Sequence, residues 1–177
     1  MNMHIDINEY AIIGKSNTLI FRRLVPTSTG DVWTWLTENH RRRQWLADGE
    51  MTLSEGTEFE LVWRNDDLDK APDEIVEGTS SSHSMRCVVT EIEPGRALSF
   101  TWMNSGGVSF GLAQKGAGTV LEIVHKELPD RENLIRIAAG WHAHLDILDA
   151  RIRGVRPEPF WESWRRLRAE YDQRIAA

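Results

Sequence analysis

Six histidines, one cysteine and eight tryptophans are the residues of this chain with the most distinctive chemistry. Two histidines stand as H-x-H, His142 and His144, with Asp146 and Asp149 close behind, a grouping that suggests a metal or proton-transfer site. The spacing argues against a shared metal. At about 100° per helical residue the two rings point about 200° apart, whereas two helical ligands chelate one ion at i, i+4. No metal site is assigned, and no cofactor. His142 shares a side with Asp146 and Asp149, so a solvated or hydrogen-bonded polar flank is expected. His125 is different. It keeps strand phase with Leu121 and Ile123, which points it inward near a sheet rim, where it can bond a ligand or act as an acid–base group. The alternative is a structural histidine bonded to a carbonyl or to a neighbouring helix. Both readings stay open, and His125 is the one candidate catalytic residue.

The remaining reactive groups are read as structural. Cys87 lies in a strand without an adjacent acid–base partner, which suggests a buried inert thiol. HRRR, His40 to Arg43, is expected to form a solvated helix surface. The glycines of NSGG and KGAG sit between strands and open no helix, so they do not cradle a phosphate. Eight Trp against two Tyr is an unusual supply of large flat side chains. Trp33 and Trp45 are expected to pack helices, while Trp63, Trp102 and Trp141 have the phase to converge on one concave surface, as a pocket for a flat apolar ligand would require.

Positioning these groups takes an alternating set of elements. TLIFRRLVP reads as a first strand ended by Pro26. TSTGDVWTWLTE follows as a helix capped by Thr27 or Ser28, with Val32, Trp33 and Leu36 inward, and His40 to Leu46 forms a second short helix. Phe59, Leu61 and Trp63 alternate with Glu58, Glu60 and Val62, the period of a half-buried strand. The polar stretch from Arg64 to His83, with few apolar anchors, is expected to be mobile and able to act as a lid. A meander comes next, its turns at EPGR, NSGG and KGAG supplying the Gly and Asn that tight hairpins need. One face carries Leu98, Phe100 and Trp102, then Val108, Phe110 and Leu112, then Leu121, Ile123 and His125. The strand around Cys87 changes phase near Thr90, which points to a bulge. A long amphipathic helix follows, with Leu134, Ile137, Ala138, Trp141, Leu145, Leu148 and Ile152 in one stripe, ending at Gly154. A further helix carries Phe160, Trp164, Leu167 and Tyr171 on one face; this segment, or the second subunit of a homodimer, is needed to cover Ile147.

The totals bound the class. At 177 residues a single domain, 1–177, is expected, with a core of about 17–155 and an additional C-terminal helix in 156–177. The formal charge of −6 argues against nucleic acid as a partner. One cysteine excludes an internal disulfide and fits a cytoplasmic location. No apolar run approaches the ~20 residues of a membrane span, so no membrane insertion is expected.

The order of strand, two short helices, curled meander and long helix is that of the helix-grip fold, an α+β architecture with about six antiparallel strands wrapped around a C-terminal helix. VWTWLTE followed by Trp45, VTEIEPGRALSFTW, GTVLEIVHKEL and GWHAHLDIL together resemble one branch of the START-like (SRPBCC) superfamily. That branch is the group similar to the C-terminal domain of the activator of the ninety-kilodalton heat-shock chaperone's ATPase. The resemblance covers roughly residues 17–155; the acidic loop after Trp63 and the tail after Gly154 depart from it. It implies a cavity between sheet and helix for a lipid, polyketide or aromatic metabolite, lined by Phe59, Leu61, Trp63, Leu98, Phe100, Trp102, Phe110, Leu121, Ile123, His125, Ile137, Trp141 and Leu145. Binding of such a small hydrophobic or amphipathic ligand is the leading reading. An enzyme acting on an aromatic metabolite through His125 is the second, and a chaperone-interaction module the third.

Overall fold

The structure, a computed structural model, describes residues 6–76, 78 and 81–177. Among the described residues, seven strands form one antiparallel sheet in the order β1-β2-β7-β6-β5-β4-β3. They are β1 (Asn8–Gly14), β2 (Thr18–Val25), β3 (Glu58–Trp63), β4 (His83–Glu93), β5 (Ala97–Phe100), β6 (Val108–Lys115) and β7 (Gly118–His125). Helices α1 (Thr29–Thr37) and α2 (Asn39–Arg42) follow β2, and α3 (Arg131–Arg153) and α4 (Phe160–Arg174) close the chain. This is the helix-grip arrangement, with one strand more than expected. The additional strand, β1, escapes a pattern search because it is an edge strand without clean alternation: Ile12 and Ile13 are both exposed.

The strand faces follow the alternation. Phe59 pairs across from Cys87, Leu61 from Met85 and Trp63 from His83, so the inward residues of β3 and β4 stand side by side. The β4–β5 register shifts between Val89 and Glu91, the expected bulge at Thr90. The hairpin turns place Gly95 and Gly116 at positive φ. Cys87 is buried, and burial pushes its thiol up to about 12, so it is inert at neutral pH.

Two expectations about the first helices need correcting. Ser28 caps α1, but the buried face holds Val32, Trp35 and Leu36, leaving Trp33 half-buried. The face is turned by about one residue because Trp45 is fully buried against this helix and donates its indole N–H to the Trp35 carbonyl (2.8 Å). The regular part of α2 ends at Arg42, and HRRR is not wholly solvated. Arg42 is buried and donates to the carbonyls of Leu36 and Thr37 at the C-terminus of α1 and to that of Gly49. Burial lowers its pKa to about 10, so it stays charged, with the helix-end carbonyls as its solvent.

α3 begins at an Asp130 cap and ends at Gly154 in the left-handed region, φ 71°. Leu134, Ala138, Trp141, Leu145 and Leu148 of the expected stripe are buried, and Ile137 and Ile152 are half-buried. His142, Ala143, His144 and Ile147 are buried as well, because α4 packs along the other side of α3 through Phe160, Leu167 and Tyr171. Ile147 is thus covered within one chain and needs no second copy. The segment after Trp63 is better anchored than its composition suggests. Asn65–Asp67 and Pro72–Glu74 form single 3-10 turns, Leu68 is buried, and Arg151 donates to the carbonyls of Leu68 and Lys70. Glu77, Thr79 and Ser80 of the expected lid lie outside the described residues. Among the described residues no helix is long and apolar enough to cross a membrane.

Gly49 ties α2 to β3, beside the Asp48–Val62 bridge. Its φ is +135°, and a Cβ there would overlap the Glu60 carbonyl oxygen. Gly49→Ala is therefore expected to cost about 3 kcal/mol or more in urea unfolding. Gly30→Ala in α1, where a Cβ meets nothing within 4 Å, should be neutral or slightly stabilising.

Candidate functional site

His125 is fully buried at the end of β7, and its hydrogen bonds settle its tautomer. The Trp141 indole N–H donates to Nδ1 (3.0 Å), so Nδ1 carries the lone pair and the proton sits on Nε2. Nε2 in turn lies 3.0 Å from the Ser105 Oγ, which must accept, while the Ser105 hydroxyl donates to the Trp102 carbonyl. Burial lowers the pKa of His125 to about 4. A neutral imidazole with both nitrogens engaged does not take a proton from Ser105. The Ser105–His125 pair therefore has the reverse polarity of a nucleophile and its base. The geometry matches the structural reading, with His125 fastening the sheet to α3.

His142 and His144 are buried, so of the two forms expected for the polar flank, solvated or hydrogen-bonded, the structure has the hydrogen-bonded one, with the two rings on opposite sides of α3. His142 Nδ1 meets the Tyr171 hydroxyl of α4 at 2.9 Å, and its Nε2 faces Asp146 at 3.7 Å. With the Nε2 proton toward that carboxylate, the Tyr171 hydroxyl donates to Nδ1 and accepts from the Ala11 amide (2.8 Å). His144 Nδ1 lies 2.8 Å from the Trp45 carbonyl. Burial lowers His142 to about 3 and His144 to about 4. Among the described residues no group of three or more His, Cys, Asp or Glu is placed to hold a metal.

Much of the concave face of the sheet is packed core. Phe59, Leu61, Leu98, Phe100, Phe110, Leu121, Ile123 and Leu145 are each buried and packed in the core, and neither they nor His125 line the open cavity at the end of the grip. Aromatic rings close the space: Phe59 to Phe100 at 5.2 Å, Phe100 to Phe110 at 5.7 Å, Phe110 to Trp141 at 5.7 Å. An open cavity of about 530 Å³ lies instead at one end of the grip. Trp63, Trp102, Ile137 and Trp141 of the expected set do line it. One wall is an aromatic ladder, His83 stacked on Trp63 (5.5 Å), Trp63 against Trp102 (5.4 Å) and Trp102 against Trp141 (5.5 Å). The other is Phe160, Trp161 and Trp164 at the start of α4, continued by His144, whose ring lies 4.6 Å from Phe160. Five of the eight tryptophans meet here. Polar groups also line it: Asn65, Asp66, Ser81, Ser82, Asn133 and Arg136. Asp66 accepts from the Trp161 indole (2.7 Å) and from Ser81 (3.2 Å), linking the segment after Trp63 to α4.

Sequence reasoning missed the second wall. Phe160 and Trp164 read as one apolar helix face, but the exposed side of that face was not recognised as part of a pocket. The signal available was FWESW, three aromatics in five residues at a helix start. His144 was missed because a helical wheel shows an angle and not a neighbour.

Comparison with known proteins is consistent with this fold. Residues 26–153 match the family described as Activator of Hsp90 ATPase homolog 1-like protein. The protein encoded by gene BPP1335 of Bordetella parapertussis is 30% identical, with a TM-score of 0.73 over 100% of this chain and 91% of its own. CalU16 from Micromonospora echinospora is 20% identical, with a TM-score of 0.63 over 95% of this chain and 96% of its own. DynU16, from the dynemicin biosynthetic locus, is 19% identical, with a TM-score of 0.61 over 79% of this chain and 48% of its own. The last two are similar in fold alone. Among curated proteins none matches the chain.

The buried histidines make stability depend on pH. In the unfolded chain each takes a proton near pH 6.5, whereas in the folded chain His125 and His144 do so near 4 and His142 near 3. Between those limits the unfolded chain binds more protons, so stability is complete above about pH 6.5 and is lost as pH falls toward 4. The urea midpoint should hold from pH 8 to about 7 and drop steeply below 6. A midpoint unchanged down to pH 5 would contradict three neutral buried histidines.

Proposed function

The chain belongs to the family of Activator of Hsp90 ATPase homolog 1-like proteins, and within that family we propose that it binds a small, flat hydrophobic or amphipathic molecule, using the tryptophan-walled cavity between α3, α4 and the ends of β3 and β4. The observation that carries this reading is the convergence of five tryptophans from four separate elements on one open space of about 530 Å³. Tryptophans that serve only as core are covered; Trp45, in the same chain, is fully buried. Trp161, by contrast, stays 39% exposed. Large aromatic surface left partly in water is costly, and a flat ligand sliding between the two walls would remove it. Burying on the order of 200–300 Å² of apolar area is worth about 5–7 kcal/mol before the costs of association, enough for micromolar binding with few polar contacts.

Gly140 supports the same reading. It lies in the middle of a 23-residue helix, where glycine costs about 1 kcal/mol relative to alanine. It lines the cavity, and a Cβ there would meet nothing within 4 Å. Packing does not demand a glycine at this point, and a side chain there would take up space in the cavity. The single domain of residues 1–177 is proposed as the binding unit, with the segment after Trp63 bordering the mouth through Asn65, Asp66, Ser81 and Ser82. The engaged, neutral state of His125 favours binding over acid–base catalysis.

Gly140→Leu tests this without threatening the fold. The variant should unfold at the same or a slightly higher temperature, because leucine is the better helix former. In a tryptophan-fluorescence titration with flat aromatic compounds it should bind at least about tenfold more weakly than the parent, because the side chain fills the site. Equal quenching of parent and variant across the panel would place binding elsewhere.

A further inference from the structure

The cavity wall holds a nearly buried histidine with one ring nitrogen that no group among the described residues engages. His144 is 5% exposed and lines the cavity between Trp141 and Phe160. Its Nδ1 lies 2.8 Å from the Trp45 carbonyl, an atom that can only accept, so Nδ1 carries the proton. The ring is neutral at physiological pH, since burial lowers its pKa to about 4. Nε2 is therefore a bare lone pair. Among the described residues it accepts no hydrogen bond, yet it is not sealed from solvent as are the unpartnered buried atoms Arg23 Nε, Arg42 Nε and Asn65 Oδ1. Its access is through the wall of the cavity.

Resting on the reading of this cavity as a ligand site, we propose that His144 Nε2 selects the ligand class: flat aromatic molecules that carry a hydrogen-bond donor, a phenolic hydroxyl or a ring N–H, placed to donate to it. Two features fix the acceptor. The Trp45 carbonyl holds the tautomer, and the Phe160 ring, tilted 34° at 4.6 Å, holds the imidazole plane. A ligand without a donor leaves Nε2 buried and unsatisfied beneath it, which disfavours binding in the way that sites built around a hydroxyl reject its deoxy analogue. The charged groups that face this part of the chain do not replace the donor. Asp66 is engaged by Trp161 and Ser81, and Arg136 donates to Asn133 at the exposed side of α3.

The test compares 2-naphthol with 2-methylnaphthalene, two probes of nearly equal shape of which only the first can donate, by isothermal titration calorimetry on the full chain at pH 7.5. 2-Naphthol should bind at least about tenfold more tightly, although the methyl compound is the more hydrophobic. In His144→Asn the side-chain amide can still donate to the Trp45 carbonyl while the Nε2 acceptor is gone, so the preference should fall to about unity with 2-methylnaphthalene affinity little changed. On the parent protein, the 15N resonance of His144 Nε2 should move upfield from its unbonded position when 2-naphthol is added and stay in place with 2-methylnaphthalene. This readout stands even if the variant folds poorly. Equal affinity of both probes for the parent, or an Nε2 resonance unmoved by saturating 2-naphthol, overturns the role of His144 and leaves the cavity reading intact. Binding of neither probe overturns both.

Discussion

The hydrogen bond from the Trp141 indole to His125 Nδ1 is the constraint on which the rest of the arrangement depends. It joins the last strand of the sheet to the middle of the long helix in a region where neither group reaches water. A buried donor and acceptor that must find each other fix the rotation of α3 about its axis more tightly than apolar contact does, because dispersion and hydrophobic burial are nearly indifferent to small rotations. With Trp141 fixed, Trp102 lies against both its indole and the His125 ring, at 5.5 and 4.9 Å, and Trp63 against Trp102. One wall of the cavity is thus set by a bond made at its foot. Ser105 completes the chain by accepting from His125 and donating to the Trp102 carbonyl, holding the loop after β5 in place.

The same rotation decides what α3 shows to its other neighbours. His142 is carried toward β1 and α4, where Tyr171 meets it, and His144 toward Trp45 and Phe160. Each of the three buried histidines therefore bridges α3 to a different part of the fold: the sheet, the last helix and the first helical segment. This explains how a helix of mixed polarity can be buried on nearly every side. Its buried histidines find partners one by one, and His144 Nε2, which accepts no hydrogen bond among the described residues, belongs to the ring that lines the cavity.

Much of this was legible in the sequence. The alternation of Phe59, Leu61 and Trp63, the turn residues of the meander and the stripe on α3 led to the fold, and the phase of Trp63, Trp102 and Trp141 led to their convergence. Periodicity reports which face of an element is covered, and those residues needed no more than that. It does not report how closely two covered faces approach. Leu98, Phe110, Leu121 and Leu145 have the same phase as the tryptophans, yet they meet across the grip and fill it, whereas the tryptophans near the rim do not. The difference lies in the separation of sheet and helix along the groove, a long-range quantity that no local pattern encodes. His144 is hidden for the same reason: its partner is 99 residues away in sequence.

The second wall has a different origin from the first, and this bears on what the family can say about the ligand. The family match ends at residue 153, while Phe160, Trp161 and Trp164 belong to α4, beyond it. The ladder of Trp63, Trp102 and Trp141 lies within the matched residues, and the face that opposes it comes from the segment that follows them. That segment is not peculiar to this chain, since the structure of the Bordetella protein aligns with 100% of this chain. Without α4 the ladder of this chain would face solvent, as a shelf without an opposing wall. Under the proposed binding role, ligand selection would rest largely on α4 and on His144, which it covers, and a ligand of another family member would carry over only where an aromatic helix stands in this position.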